Sequence, residues 1–251
     1  MTVLLLKLFL APSLVVGSTL AGRRWGPHVA GILVGLPIVA GPILFITFLG
    51  HGRDFAADAA ASSLLGLVSL AALVVVFAHG ARRFGTLVTL AISWCAVLAI
   101  DAALSLLHLN VALAFALTLA ATIGAGILMP TKENQHEAPA KKPRWDLTGR
   151  ALATAVLVLT VTTASGALGP RWTGLLAPFP IATSVVAAFV HAQAGAHVTA
   201  KTLAGTLTGL FSFATFCLTL SLLVRPLGAV AFAVAAAVTV IAQLLAVRLR
   251  D

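Results

Sequence analysis

"GILVGLPIVAGPILF", Gly31–Phe45, is apolar from end to end, yet it carries Pro37 and Pro42, with Gly35 and Gly41 close ahead of them. Proline has no backbone donor and clashes with the preceding helical turn. Worked outward, this stretch belongs to a span expected over residues 28–49, broken near its middle. Later in the chain, "GLLAPFPIATSVVAA" begins at Gly174 and has the same character. The relation between the two stretches decides the fold.

The surrounding composition sets the class. The chain has 251 residues, is 60% hydrophobic and only 9% charged, and its mean hydropathy is +1.08. Several uncharged runs exceed the ~18 residues that mark a membrane helix. The expected fold is therefore an all-α polytopic membrane protein. A membrane barrel is not expected, because barrel strands alternate polar and apolar residues. The net charge of +9 fits basic cytoplasmic loops rather than nucleic acid. Cys95 and Cys217 lie in apolar runs without ligand spacing, so both are read as small core residues.

Nine spans are expected, near residues 3–21, 28–49, 58–79, 84–107, 109–129, 149–169, 173–194, 199–224 and 226–247. The segment 130–148, "PTKENQHEAPAKKPRWDLT", is polar and punctuated by proline, and it reads as a linker. Lys7, the apolar run after it and "GSTLAG" at 17–22 imitate a cleavable signal peptide. An internal repeat argues against cleavage, because the segment has a counterpart later in the chain.

That repeat aligns "GRRWGPHVAGILVGLPIVAG" (Gly22–Gly41) with "GPRWTGLLAPFPIATS" (Gly169–Ser184). Arg24-Trp25 matches Arg171-Trp172. After a four-residue insertion, Gly31 falls on Gly174 and Pro37-Ile38 on Pro180-Ile181. The offset of 143 then continues without a gap through Gly52 and Gly195, Gly66 and Gly209, Ser69 and Ser212, Arg82 and Arg225, and Gly85 and Gly228. Self-similarity at a fixed offset indicates duplication. Five spans separate each helix from its equivalent, so the copies face opposite ways. The expectation is a 4+1+4 inverted-topology repeat: repeat one over 1–107, a linker helix and basic loop over 108–148, and repeat two over 149–251. Counting Lys and Arg by span parity puts twelve on one side and four on the other. The richer side is expected to be cytoplasmic, which places the N-terminus outside and the C-terminus inside.

Interrupted spans at matching positions of inverted halves point to a substrate site. The expected substrate-binding residues are Gly35, Pro37, Gly41 and Pro42 in the first half, with Pro178, Pro180, Thr183 and Ser184 in the second. The plainer reading of these residues is a pair of kinks that help two helices pack. Asp101 is the one carboxylate well inside an expected span, and intramembrane charge marks function by default. Asp101 and Lys7 are the ion-coupling candidates, either paired with each other or with Asp101 facing an outer vestibule. The plainer reading of Lys7 is snorkelling to the interface. Gly205-x-x-x-Gly209 suits close helix packing. His51, His108, His191 and His197 form no metal motif, so neither a metal nor a cofactor is expected. No catalytic constellation or nucleotide-binding motif is visible, and an enzyme is not expected.

Residues 171–195, "RWTGLLAPFPIATSVVAAFVHAQAG", resemble the small GlpM-type bacterial inner-membrane proteins. Gly174-Leu175, Phe179-Pro180 and His191 carry the likeness, with Leu36-Pro37 in place of Phe-Pro in the first copy. The resemblance implies the bacterial cytoplasmic membrane and no particular activity. The expected function is a secondary transporter for a small solute, with Asp101 available for proton coupling. Its partners would be membrane lipid and an unspecified small molecule, with no nucleic acid and with room for a homo-oligomer. The alternatives are a lipid flippase or channel-like pore, and an accessory subunit whose repeats only pack.

Overall fold

The computed structural model describes residues 2–107, 109–130, 145–167 and 180–248. Eight helices are described: α1 (Thr2–Trp25), α2 (Pro27–Gly35), α3 (Ala40–Gly80), α4 (Thr86–Leu104), α5 (Val111–Leu128), α6 (Asp146–Ala167), α7 (Ile181–Leu227) and α8 (Val230–Arg248). The described residues contain no strand. Four stretches among them are long and apolar enough to cross a membrane: Pro27–Gly80, Thr86–Leu104, Val111–Leu128 and Ile181–Leu227.

Two helices stand out by length, with 41 residues in α3 and 47 in α7. At about 1.5 Å per residue, α3 runs roughly 60 Å and α7 roughly 70 Å, against a hydrocarbon core of about 30 Å. Each is interrupted by a single glycine. Gly52 has φ 86° and ψ −174°, and Gly195 has φ 79° and ψ −179°. A residue with a Cβ is strongly disfavoured there. Where connections were expected between 49 and 58 and between 194 and 199, each helix instead has this one non-helical residue. The flanking "FAADAAASS" supplies good helix formers, so no loop forms.

The span expected over 28–49 is broken at 36–39. Leu36 is extended, with ψ 154°, and α3 starts only at Ala40. Pro37 cannot donate to the carbonyl of Leu33, which accepts from the Leu36 N–H at 3.4 Å instead. Pro42 likewise removes the helical donor of the Ile38 carbonyl.

Glycine sets the closest helix contact, which is between α2 and α7. A Cβ on Gly31 would collide with the Thr202 carbonyl oxygen, and one on Gly35 with that of Thr206. From the other side, a Cβ on Gly205 would strike the His28 carbonyl oxygen, and one on Gly209 would lie 2.6 Å from that of Ile32. The two backbones touch because four residues lack side chains, as small-residue packing in lipid requires.

The later parts of α3 and α7 form the core. Leu64, Leu73, Val74, Phe77, Leu203, Leu210, Leu220 and Val224 are fully buried. Small polar residues are buried with them, including Ser69, Ser93, Thr118, Thr206 and Ser212. The Thr118 hydroxyl donates to the Leu64 carbonyl oxygen at 2.7 Å and joins α5 to α3. Large apolar residues such as Leu87, Ile127, Leu152 and Leu244 stay exposed. Small polar groups inside and leucines outside make a surface suited to lipid. Cys217 is buried as expected, whereas Cys95 is exposed, because it lies on the outward side of α4 with Ile92 and Leu98.

Candidate functional site

A cavity of about 590 Å³ opens beside the break between α2 and α3. Leu36, Pro37, Ile38, Gly41 and Pro42 form one wall. Phe216 of α7 stands opposite, and Phe232, Thr239, Gln243 and Leu244 come from α8. Phe45 packs edge-on against Phe232, with ring centroids 5.0 Å apart. The size lies within the roughly 300–1,000 Å³ usual for small-molecule sites. No lining residue is charged.

The expected substrate residues are only partly brought together. Pro37, Gly41 and Pro42 line the cavity. Gly35 ends α2 and is pressed against α7 at Thr206 and Gly209. Pro180 caps α7, and Thr183 and Ser184 are buried without lining this cavity. Ser184 accepts a hydrogen bond from the Trp94 indole N–H at 3.0 Å. Pro178 lies outside the described residues, as does the side chain of Lys7.

Asp101 is buried on α4 and accepts a short hydrogen bond from the Ser69 hydroxyl. A related pair joins α7 to α8, where the Ser212 hydroxyl donates to Gln243 Oε1 at 2.7 Å. The other end of that amide, Nε2, is the one buried side-chain nitrogen or oxygen without a partner among the described residues. Sequence reading missed Gln243. Its signal was a lone amide in the apolar run of α8, one position before the residue that the 143 offset sets against Asp101.

Two charged clusters flank the glycine interruptions. Near Gly195, Asp146 accepts from Arg23 Nη2 at 2.6 Å, Arg150 Nε at 2.7 Å and Gln193 Nε2 at 2.6 Å. The Arg150 guanidinium also stacks over Phe189 at 5.1 Å. Asp146 stands ahead of the apolar run of α6. Burial pushes its carboxyl up, but the bonds from Gln193, Arg150 and Arg23 and the Arg150 charge outweigh this and hold it below the ordinary value. Near Gly52, Arg225 pairs with Asp54 at 3.0 Å and Asp58 at 2.9 Å, and Arg53 donates to the Arg225 carbonyl oxygen. This second cluster is exposed.

No group of three or more metal-ligating side chains occurs among the described residues. His191 instead meets the Thr86 hydroxyl at 3.2 Å and the edge of Phe77. Comparison of the chain with protein-family models, curated proteins and solved structures finds no match. The GlpM-type likeness therefore stands on its own residues, of which Gly174, Leu175 and Phe179 lie outside the described part.

Proposed function

We propose that this is a secondary transporter-like protein of the bacterial cytoplasmic membrane, moving a small neutral solute through the cavity at the broken second span. In this reading the chain has nine spans in two opposed four-helix units, with the N-terminus outside and the C-terminus in the cytoplasm. The observation that carries the reading is the helix break at 36–39 opening onto a cavity of small-molecule size. Broken helices at matching places of inverted halves are how many such transporters build a site.

Several contacts support the two-unit arrangement. The interrupting glycines stand 143 residues apart with nearly equal backbone angles. The Ser69–Asp101 and Ser212–Gln243 pairs start from serines at the same offset. Arg53 and Arg225, assigned to the outer side by parity, touch each other, and so do Asp146 and Arg150 with Arg23 on the inner side. On this reading the halves also differ at Gly41. Gly41 and Ala237 correspond to Ser184 and Trp94. Gly41 lines the cavity, whereas Ser184 is bonded to the Trp94 indole.

Asp101 is the coupling candidate in this scheme, and the two charged clusters close the inner and outer faces. The test uses proteoliposomes and a panel of small neutral solutes. Flux is expected with the wild-type chain and is expected to vanish in Ala236→Trp, which fills the cavity. Equal flux in that folded variant would sink the site. A lipid flippase is the second reading, favoured by Ile38, Val240 and Leu244, which are exposed at the cavity. Movement of a fluorescent phospholipid between leaflets of the same vesicles, without solute flux, would select it.

A further inference from the structure

We infer that the cavity binds an uncharged, single-chain amphiphile, with the Gln243 side-chain amide donating a hydrogen bond to the oxygen of its head. The inference rests on reading that cavity as a substrate site, and it names the chemical class that the site takes.

The lining excludes charge. It is built of proline, leucine, valine, isoleucine and phenylalanine side chains, with Thr239 and Gln243 as its polar residues. The Thr239 hydroxyl is already spent on the Ala235 carbonyl oxygen at 2.6 Å. An ion brought there would lose its hydration with nothing to replace it. The ligand is therefore neutral and mostly apolar.

The opening selects the route of entry. Ile38, Val240 and Leu244 are large, exposed and part of the cavity wall. In a bilayer they meet acyl chains, so a ligand enters sideways from lipid. A volume of about 590 Å³ accommodates one chain, and a two-chain lipid would have to leave its second chain and headgroup outside.

Gln243 supplies the polar contact. Its Oε1 is held by Ser212 at 2.7 Å, while Nε2 is buried and unpartnered. A buried primary amide normally finds partners for both ends, and leaving the donor unmade is costly in an apolar site. A carbonyl, ester or ether oxygen on the ligand removes that defect. An alkane does not.

The experiment uses the purified full chain in nanodiscs and two photoreactive probes with the same terminal diazirine, one a dodecan-2-one and the other a dodecane. Labelled peptides are mapped by mass spectrometry. The ketone is expected to label the peptides holding Phe45, Phe216 and Phe232 about tenfold more than the alkane, which is the worth of one good hydrogen bond. Gln243→Leu is expected to bring the ketone down to the alkane level, with alkane labelling unchanged. That unchanged labelling also reports that the variant is folded. Ala236→Trp is expected to block both probes. Equal labelling by ketone and alkane in the wild-type chain, or a Gln243→Leu variant that still prefers the ketone, overturns the role of Gln243 and leaves the cavity as a site. Absence of both probes from those peptides overturns the cavity reading as well. Competition of the ketone by an added two-chain phospholipid, lost in Gln243→Leu, overturns the single-chain class.

Discussion

Single atoms decide the closest contact in this molecule. A methyl group added at Gly205 would meet the His28 carbonyl, and backbone cannot swing aside as a flexible side chain can. Gly205→Ala is expected to destabilise the protein by at least about 1–3 kcal/mol, as overpacking does. Gly17→Ala, with open space around it, is expected to be neutral or slightly stabilising. Thermal unfolding in detergent checks both. Asp101 offers a second test. Asn keeps the acceptor that Ser69 needs, so Asp101→Asn is expected to fold like the wild type while flux loses its pH dependence. Unchanged pH dependence would remove Asp101 from coupling. At this scale the sequence was partly legible. Pro37, Gly41 and Pro42 could be picked out because proline has a fixed cost in a span. Gln243 and Trp94 could not, since their roles come from partners 31 and 90 residues away.

Elements are tied together by charge of very different worth. Asp146 binds α1, α6 and α7 at once and is almost fully buried, with side-chain exposure of 1%. Removing its charge leaves Arg150 buried and uncompensated, a loss of about 3–5 kcal/mol. Asp146→Asn is therefore expected to lower the melting temperature sharply. Asp54→Asn, in an exposed pair, is expected to change it little. The sign with pH follows from the depressed carboxyl: the stability that Asp146 contributes is full above its ordinary value of 3.8 and is lost as pH falls through the lower folded value. A melting profile against pH, steep in acid for the wild type and flatter for Asp146→Asn, checks this. The helix expected near 149–169 starts three residues earlier, at Asp146. Asp146 falls in the linker expected over 130–148 but begins α6, and an acid four residues ahead of a base, here Arg150, is also a helix-stabilising pattern. Connections were expected over 49–58 and 194–199, and there α3 and α7 each carry a single non-helical glycine with positive φ.

For the whole molecule, the proposed topology makes an accessible prediction. Cysteines placed at His51 and at Arg83, both exposed, are expected to react with a membrane-impermeant maleimide from opposite sides of the membrane. The background for this test carries Cys95→Ser. Labelling from the same side would break the span count. The helical class was legible from composition alone, because no other fold uses so many long uncharged runs. The position of the cavity was not, since it depends on how α7 and α8 pack beside the break at 36–39.

The difference between Gly41 and Ser184 has a consequence for how such a chain must be inserted. On the reading of two opposed halves, a perfectly symmetric protein would do the same job upside down, and its orientation would be immaterial. Trp94, bonded to Ser184 on one side, and the open pocket by Gly41 on the other remove that indifference. A copy placed the wrong way would turn the pocket by Gly41 towards the wrong compartment. The lopsided distribution of arginine and lysine can then be understood as the address label that a two-faced machine needs and a symmetric one does not.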